Sequence, residues 1–289
     1  MPPEERDLLA EKVERKIKEW LQAPVFLASG SGKRVEGLVR VGFDPEKIIP
    51  CPVPDEIETV AIESYDRMMT DPRGSGVTSE VARVKVDYVL KNLGPQIPSG
   101  AFVIGADTMP IAYQRIREPN QEQLPSYFYW LAESMRKPKN KEEARRMILE
   151  LFSRIAENYK AGLNSDLDIG VKVKTSVSVK FPYEDNIQTE AYAVVLIPRR
   201  ILSAVDSRTE DTNSELEKIT DEVLEVMEKE GVDVTKISGG INYVLQGVKD
   251  VLQIHEKAFL NEKLEPGIYL GLPDANMRQL LKKHAKEIS

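Results

Sequence analysis

A chain of 289 residues with 41% hydrophobic and 30% charged content has the makeup of a soluble globular protein, long enough to bury a sizeable core. Its formal net charge of −7 argues against broad nucleic-acid binding, and its longest apolar run, near Ala191 to Ile197, is strand-sized and far short of a membrane span. Cys51 is the only cysteine, which excludes an internal disulfide and a cysteine zinc cluster and points to a reducing cytoplasm. The two histidines, His255 and His284, lie in helix-like polar contexts, so a histidine-centred triad has little support.

The opening residues read as a charged amphipathic helix, not a secretory signal, with Leu9, Val13, Ile17 and Trp20 at helical spacing over residues 4–22. A packing role is the simpler reading of this helix, and a partner-binding role is the alternative. Val25 to Ala28 then form a short buried strand, followed by the turn Ser29-Gly30-Ser31-Gly32 and a helix from about Lys33 to Val41. A strand that turns through small residues into a helix leaves unbonded N–H groups at the positive end of the helix dipole, which suits an anion. Ser29, Ser31, Lys33 and Arg34 add two hydroxyls and two cations to that field. The turn is not a P-loop: Leu27 stands where that motif needs its first glycine, and Arg34 where it needs Ser or Thr. A plain strand–helix connection with surface cations remains the alternative.

Ile48-Ile49 leads into Pro50, Pro52 and Pro54, an extended edge or loop ending in the acidic pair Asp55-Glu56. Residues 70–77 read as a loop. A helix over about Thr78 to Asn92 carries Val81, Ala82, Tyr88 and Val89 on one face, with Lys85 inside that apolar stripe. Such a lysine either snorkels to solvent, the commoner case, or reaches into a cleft that needs a cation. A cleft lysine is expected to matter more for binding than for stability. Phe102 to Ala106 form a second buried strand with Asp107-Thr108 at its end, and in open α/β sheets that end is where ligand groups gather. Asp107 is therefore the leading metal-ligand or base candidate, with capping of the next turn as the structural alternative.

Residues 113–135 lack clear periodicity but hold Tyr127, Phe128, Tyr129 and Trp130, an insert that could close over a cleft or meet a partner. Lys137-Pro138 precedes Asn140 and Glu143, a helix cap with its reciprocal acid, and a strong amphipathic helix through Ile155. Alternation from Val171 to Phe181 marks a strand. A second strand over about Thr189 to Ile197 pairs with it antiparallel through a turn near Pro182–Asn186. Further helices are expected from Thr212 to Met227 and from Asp274 through Leu281, with a loop or helix start between Gly239-Gly240 and Gln246-Gly247.

In this order the segments resemble the Maf family of nucleoside triphosphate pyrophosphatases. The carriers are Leu27 to Arg34, Asp55-Glu56, Ala82-Arg83-Val84-Lys85, Gly105-Ala106-Asp107-Thr108, Lys137-Pro138 with Glu143-Ala144 and Met147, Val173-Lys174-Thr175, and the closing Gly239-Gly240, Gln246-Gly247 and Gly271-Leu272-Pro273. The chain departs from the family pattern at Gly32 for proline, at Lys33 for the first arginine and at Val171 for a histidine, and several connecting stretches are longer. Lys33 keeps the charge but loses the bidentate fork of arginine.

The resemblance implies an α/β fold, a mixed twisted sheet with flanking helices and two lobes around a central cleft. It also implies a single domain over 23–289 after the helix of residues 1–22. The reaction it implies is hydrolysis of a nucleoside triphosphate between the α and β phosphates. Arg34, Lys33, Lys85 and Lys137 would meet the phosphates with Ser29 and Ser31, and Glu56 and Asp107 would hold Mg²⁺ or Mn²⁺. Asp107 would also orient or deprotonate water, Gln246 would bond the base or a phosphate oxygen, and Thr108 goes with a preference for pyrimidine nucleotides such as dTTP and UTP. A homodimer and a cytoplasmic location are further family expectations. A non-catalytic nucleotide-binding protein on the same fold and a protein-interaction module are the competing readings.

Overall fold

A computed structural model describes residues 3–68, 77–115, 137–162, 168–206, 212–237, 241, 245–257, 272 and 274–288. Residues 70–76 of the expected 70–77 loop, most of the aromatic insert and Gly239-Gly240 lie outside the described residues, and Val77 opens a helix. The described chain builds one mixed six-stranded sheet in the order β2-β1-β3-β4-β5-β6. The strands are β1 (Val25–Leu27), β2 (Ile48–Pro50), β3 (Phe102–Arg115), β4 (Asp168–Lys180), β5 (Ile187–Pro198) and β6 (Ile254–Lys257). Nine helices accompany it among the described residues: α1 (Pro3–Leu21), α2 (Gly32–Val41), α3 (Asp55–Met68), α4 (Val77–Leu93), α5 (Lys141–Gly162), α6 (Arg199–Asp206), α7 (Thr212–Lys229), α8 (Gln246–Leu252) and α9 (Asp274–Glu287).

The first three strands are parallel, with Leu27 opposite Pro50 on one side and opposite Ile104 on the other. Beyond β3 every pairing is antiparallel. The β4–β5 hairpin forms where the alternating pattern places it, through a turn in which Tyr183 takes φ 64. α2 ends at Gly42, whose φ of 116 lets its N–H return to the carbonyls of Leu38 and Val39.

Apolar clusters fill both faces of the sheet. Trp20 of α1 packs with Leu38 of α2, Phe102 and Ile104 of β3, Phe181 after β4, and Leu280 and Leu281 of α9. The opening helix therefore belongs to the core, as the packing reading expects. A second cluster joins α3, α4, α5, α6, α7 and α8 against Met109, Val173 and Leu196 of the sheet. Arg200 of α6 fastens that layer: its guanidinium donates to both oxygens of Glu222 on α7, to Glu215, and to the carbonyl of Val251 on α8.

The structure departs from the sequence expectations in three places. Asp55-Glu56 does not end a loop but opens α3; Pro54 just ahead of three first-turn acids, Asp55, Glu56 and Glu58, is a helix-start signature hidden by the proline run. β3 continues past the expected end to Arg115, because β4 offers it an unbroken antiparallel partner for thirteen register pairs. His255 lies in β6, and His284 is buried, not polar-exposed: Gln188 and Glu184 of the hairpin meet its two ring nitrogens, and Phe181 and Trp20 flank its ring.

Candidate active site at the carboxyl end of the parallel strands

The strand order places a topological switch beside β1. From β1 the chain goes to β2 on one side, then crosses to β3 on the other. In an α/β sheet the crevice outside the carboxyl ends of such strands is where ligands bind, because the two outgoing connections diverge there. The Ser29–Arg34 turn leaves β1 at this point. Leu27 pairs with Ile104, so the turn begins level with Ala106 and Asp107 of β3.

Within the turn, Ser29 is buried and its Oγ accepts from the Ser31 N–H at 3.1 Å and from Arg34 Nη1 at 2.9 Å. The guanidinium of Arg34 is thus folded back over the turn. Ser31 is the N-cap of α2 by position, yet no side chain caps that helix and its first turn carries no acid. First-turn N–H groups so placed, beside Lys33 and Arg34, make an anion-binding end. Lys33 and Gly32 are exposed.

Opposite the turn, α4 lies directly on β3. Gly105 permits this: a Cβ there would stand 2.4 Å from the carbonyl oxygen of Ala82, 2.9 Å from Val86 Cγ2 and 3.4 Å from Lys85 Cβ. The close approach drives Lys85 into the sheet instead of out to solvent, which reverses the snorkelling expectation. Its side chain is 2% exposed, and Nζ reaches Asp107 Oδ1 at 2.9 Å, Glu58 Oε1 at 3.1 Å and the Ala106 carbonyl at 3.2 Å. This buried lysine bonded to two carboxylates ties α4 to α3 and β3, and removing it would leave the two carboxylates without their cation.

Glu58 is the site residue that sequence reading missed. On α3 the side chains of Asp55, Glu58 and Ile62 share a face at i, i+3 and i+7, and Ile62 is buried beneath. Glu56 falls on another face and is exposed. Asp55 and Glu58 turn to Lys137, whose Nζ lies 2.5 Å from Asp55 Oδ1 and 3.8 Å from Glu58 Oε1. The acidic pair was legible in the sequence, but the helical phase that selects Glu58 over Glu56 was not recognised there.

Two other expectations are redirected. Strand alternation puts Thr108 on the face opposite Asp107, where its Oγ1 meets Thr175 Oγ1 at 2.9 Å. Gln246 opens α8, is exposed, and donates its amide to Asp250 Oδ1 at 2.8 Å. The structure gives Gln246 no contact with Lys85, Asp107 or Arg34.

The assembled set is a chain of ion pairs in which Lys137 meets Asp55 and Glu58, and Lys85 meets Glu58 and Asp107, with Arg34 and Lys33 on the turn after β1. Asp107 is 5% exposed and its Oδ2 is buried without a protein hydrogen-bond partner. Among the described residues no group of three or more His, Cys, Asp or Glu side chains converges to hold a metal by itself. Two carboxylates, Asp107 and the nearby Glu58, suit a hard divalent cation that keeps water and phosphate oxygens as its other ligands. Glu56 does not join them.

A family model described as Maf-like protein matches residues 24–194, more than half of the chain. Comparison with curated proteins gives no match. The chain belongs to the Maf-like protein family.

Proposed function

We propose that this Maf-like protein is a nucleoside triphosphate pyrophosphatase, cutting its substrate between the α and β phosphates to a monophosphate and pyrophosphate. The observation that carries the reading is Lys85, buried between Asp107 and Glu58 at the switch point, where the cationic Ser29–Arg34 turn leaves the neighbouring strand. A triphosphate brings about three to four negative charges, and a nucleophile approaches it only when those are neutralised. Arg34 and Lys33, with the N-terminus of α2 and the hydroxyls of Ser29 and Ser31, supply one half of that field. Lys137 supplies the other half once its Asp55 partner is displaced by phosphate.

Asp107 acts as the base. A water oxygen bonds to the α-phosphorus, the water proton passes to the Asp107 carboxylate, and the bond to the α–β bridging oxygen breaks with its electron pair leaving on pyrophosphate. Lys85 holds Asp107 in place by bonding Oδ1, which leaves Oδ2 for the water. Glu58 and Asp107 would hold Mg²⁺ or Mn²⁺, whose chemistry is to neutralise the phosphate oxygens. The Ala106-Asp107-Thr108 sequence favours pyrimidine triphosphates such as dTTP and UTP. Because Thr108 bonds Thr175 on the other sheet face, it shapes that choice through the β3–β4 wall and not as a neighbour of Asp107.

The test is a panel of nucleoside triphosphates with Mg²⁺ or Mn²⁺, scoring pyrophosphate against orthophosphate, for the wild type and Asp107→Asn. Pyrophosphate release that Asp107→Asn lowers by about 100-fold or more is the expected result. Orthophosphate alone would move the cut to the γ position. Saturable triphosphate binding without product would favour the second reading, a nucleotide-binding protein without turnover, which rests on the fact that the described acids do not by themselves form a three-ligand metal group.

A further inference from the structure

The interior strand β4 carries polar groups where buried strands are ordinarily apolar: Lys174, Thr175, Ser176 and Ser178 are all buried. Cross-strand hydroxyl pairs account for two of them, Thr175 with Thr108 at 2.9 Å and Ser178 with Thr189 at 2.7 Å. Ser176 has a different setting. It is the register partner of Asp107, so both side chains leave the same face of the sheet as direct neighbours, with Cβ atoms about 5 Å apart. Its Oγ lies 2.7 Å from Thr78 Oγ1 and 3.0 Å from Ser79 Oγ, both in the first turn of α4.

Each hydroxyl carries one proton and can accept two. Two contacts among these three hydroxyls use two protons, which leaves one to be donated outside the cluster. When Thr78 and Ser79 donate to Ser176, the remaining proton is that of Ser176 itself. On the same face, Asp107 Oδ2 is a buried acceptor without a protein partner. A donor with a surplus proton and a carboxylate oxygen with unused lone pairs, on register partners of one sheet face, would both be satisfied by one small polar molecule in a slot between them.

We propose that this slot seats the attacking water, with Ser176 as a positioning residue; the inference rests on the pyrophosphatase reading and names the nucleophile's place within it. Ser176 Oγ–H donates to the water oxygen, the water donates one proton to Asp107 Oδ2, and its remaining lone pair faces the phosphorus. As the new oxygen–phosphorus bond forms, that proton completes its transfer to Asp107 and pyrophosphate departs with the bridging oxygen. Thr78 and Ser79 fix the rotor of Ser176 so that its proton points into the slot.

Ser176→Ala and Thr78→Val separate this role from a tether between α4 and the sheet: Thr78→Val removes the shorter tether bond and keeps the donor facing Asp107, whereas Ser176→Ala removes that donor together with both tether bonds. Full-length wild type and both variants are compared in pyrophosphate release and thermal unfolding, and wild type and Ser176→Ala in high-resolution crystal structures without nucleotide. The expected result is a fall in kcat of about 10–100-fold for Ser176→Ala with KM within about twofold, and a clearly smaller fall for Thr78→Val. An ordered water within bonding distance of Ser176 Oγ and Asp107 Oδ2 in the wild type, lost in Ser176→Ala, is expected as well. Equal loss of melting temperature in the two variants with kcat unchanged would overturn the proposal, as would a wild-type crystal with no water in the slot. A wild type that releases no pyrophosphate would instead overturn the reaction itself, and the nucleophile's role with it.

Discussion

Gly105→Ala tests whether the seating of α4 on β3 sets both the stability and the chemistry of the site. The added methyl carbon would lie 2.4 Å from the Ala82 carbonyl oxygen and 2.9 Å from Val86 Cγ2. The shortest ordinary carbon–oxygen contact is about 3.3 Å, so α4 must withdraw from the strand by about 0.9 Å. Backbone on both sides of the clash leaves no flexible side chain to absorb it. A rigid shift of that size directed along the bond carries Lys85 away from Asp107 Oδ1, now at 2.9 Å, and out of hydrogen-bond range. Overpacking of this kind costs about 1–3 kcal/mol, which is about 2–12 °C in melting temperature for a chain of this length. A misplacement near 1 Å costs about 100-fold in turnover. Urea unfolding and pyrophosphate release, measured on the same preparation, read the two effects. A variant with wild-type unfolding midpoint and wild-type turnover would refute the reasoning, because the contact at Ala82 could not then be real.

Three further outcomes are expected. Lys85→Ala leaves Asp107 and Glu58 facing each other without their cation and destabilises the fold by about 3–5 kcal/mol in denaturant titration; adding Asp107→Asn to it restores part of that loss, and strict additivity of the two changes would count against the pairing. Cys51 is buried, its Sγ donates to the Ile49 carbonyl at 3.5 Å, and burial pushes its thiol up from the usual range. It should therefore resist alkylation at neutral pH in the native protein and react at once in urea, and rapid native labelling would contradict that burial. Hydrogen bonding from Arg200 holds the Glu222 carboxyl below its usual range. A depressed folded value means its stabilisation is present above the unfolded value of about 4.3 and is lost as pH falls through the folded one. After solvent screening it amounts to at most about 1 kcal/mol, so Arg200→Gln should lower the urea midpoint at pH 7, and by less as the pH is taken down through the acid range.

Most strands and long helices were legible because their signals are local. The apolar run of Phe102 to Ala106, the alternation from Val173 to Phe181 and the helical stripe of α5 each state their element through periodicity alone. The candidate residues Ser29, Arg34, Lys85, Asp107 and Lys137 were legible through motif order, and the fold places the first two on the turn and joins the other three through Glu58. Glu58 itself was not, because a proline run hid the start of α3 and the phase of that helix decides which acid turns inward. His284 looked like a polar surface residue for a similar reason: its neighbours in the chain are charged, while its neighbours in space are Trp20, Phe181, Gln188 and Glu184.

The sequence by itself determined the class of the fold, the family and the chemical types at the site, since hydrophobic period, turn residues and motif order are properties of short stretches of chain. Only the tertiary structure decided what each charged group does. Whether Lys85 reaches solvent or Asp107 depends on how closely α4 can approach β3, and that depends on a missing Cβ at Gly105. Whether Ser176 is a surface hydroxyl or the neighbour of the Asp107 carboxylate depends on the β3–β4 register. Contacts of that kind join residues far apart in the chain, and no local pattern encodes the distance between them.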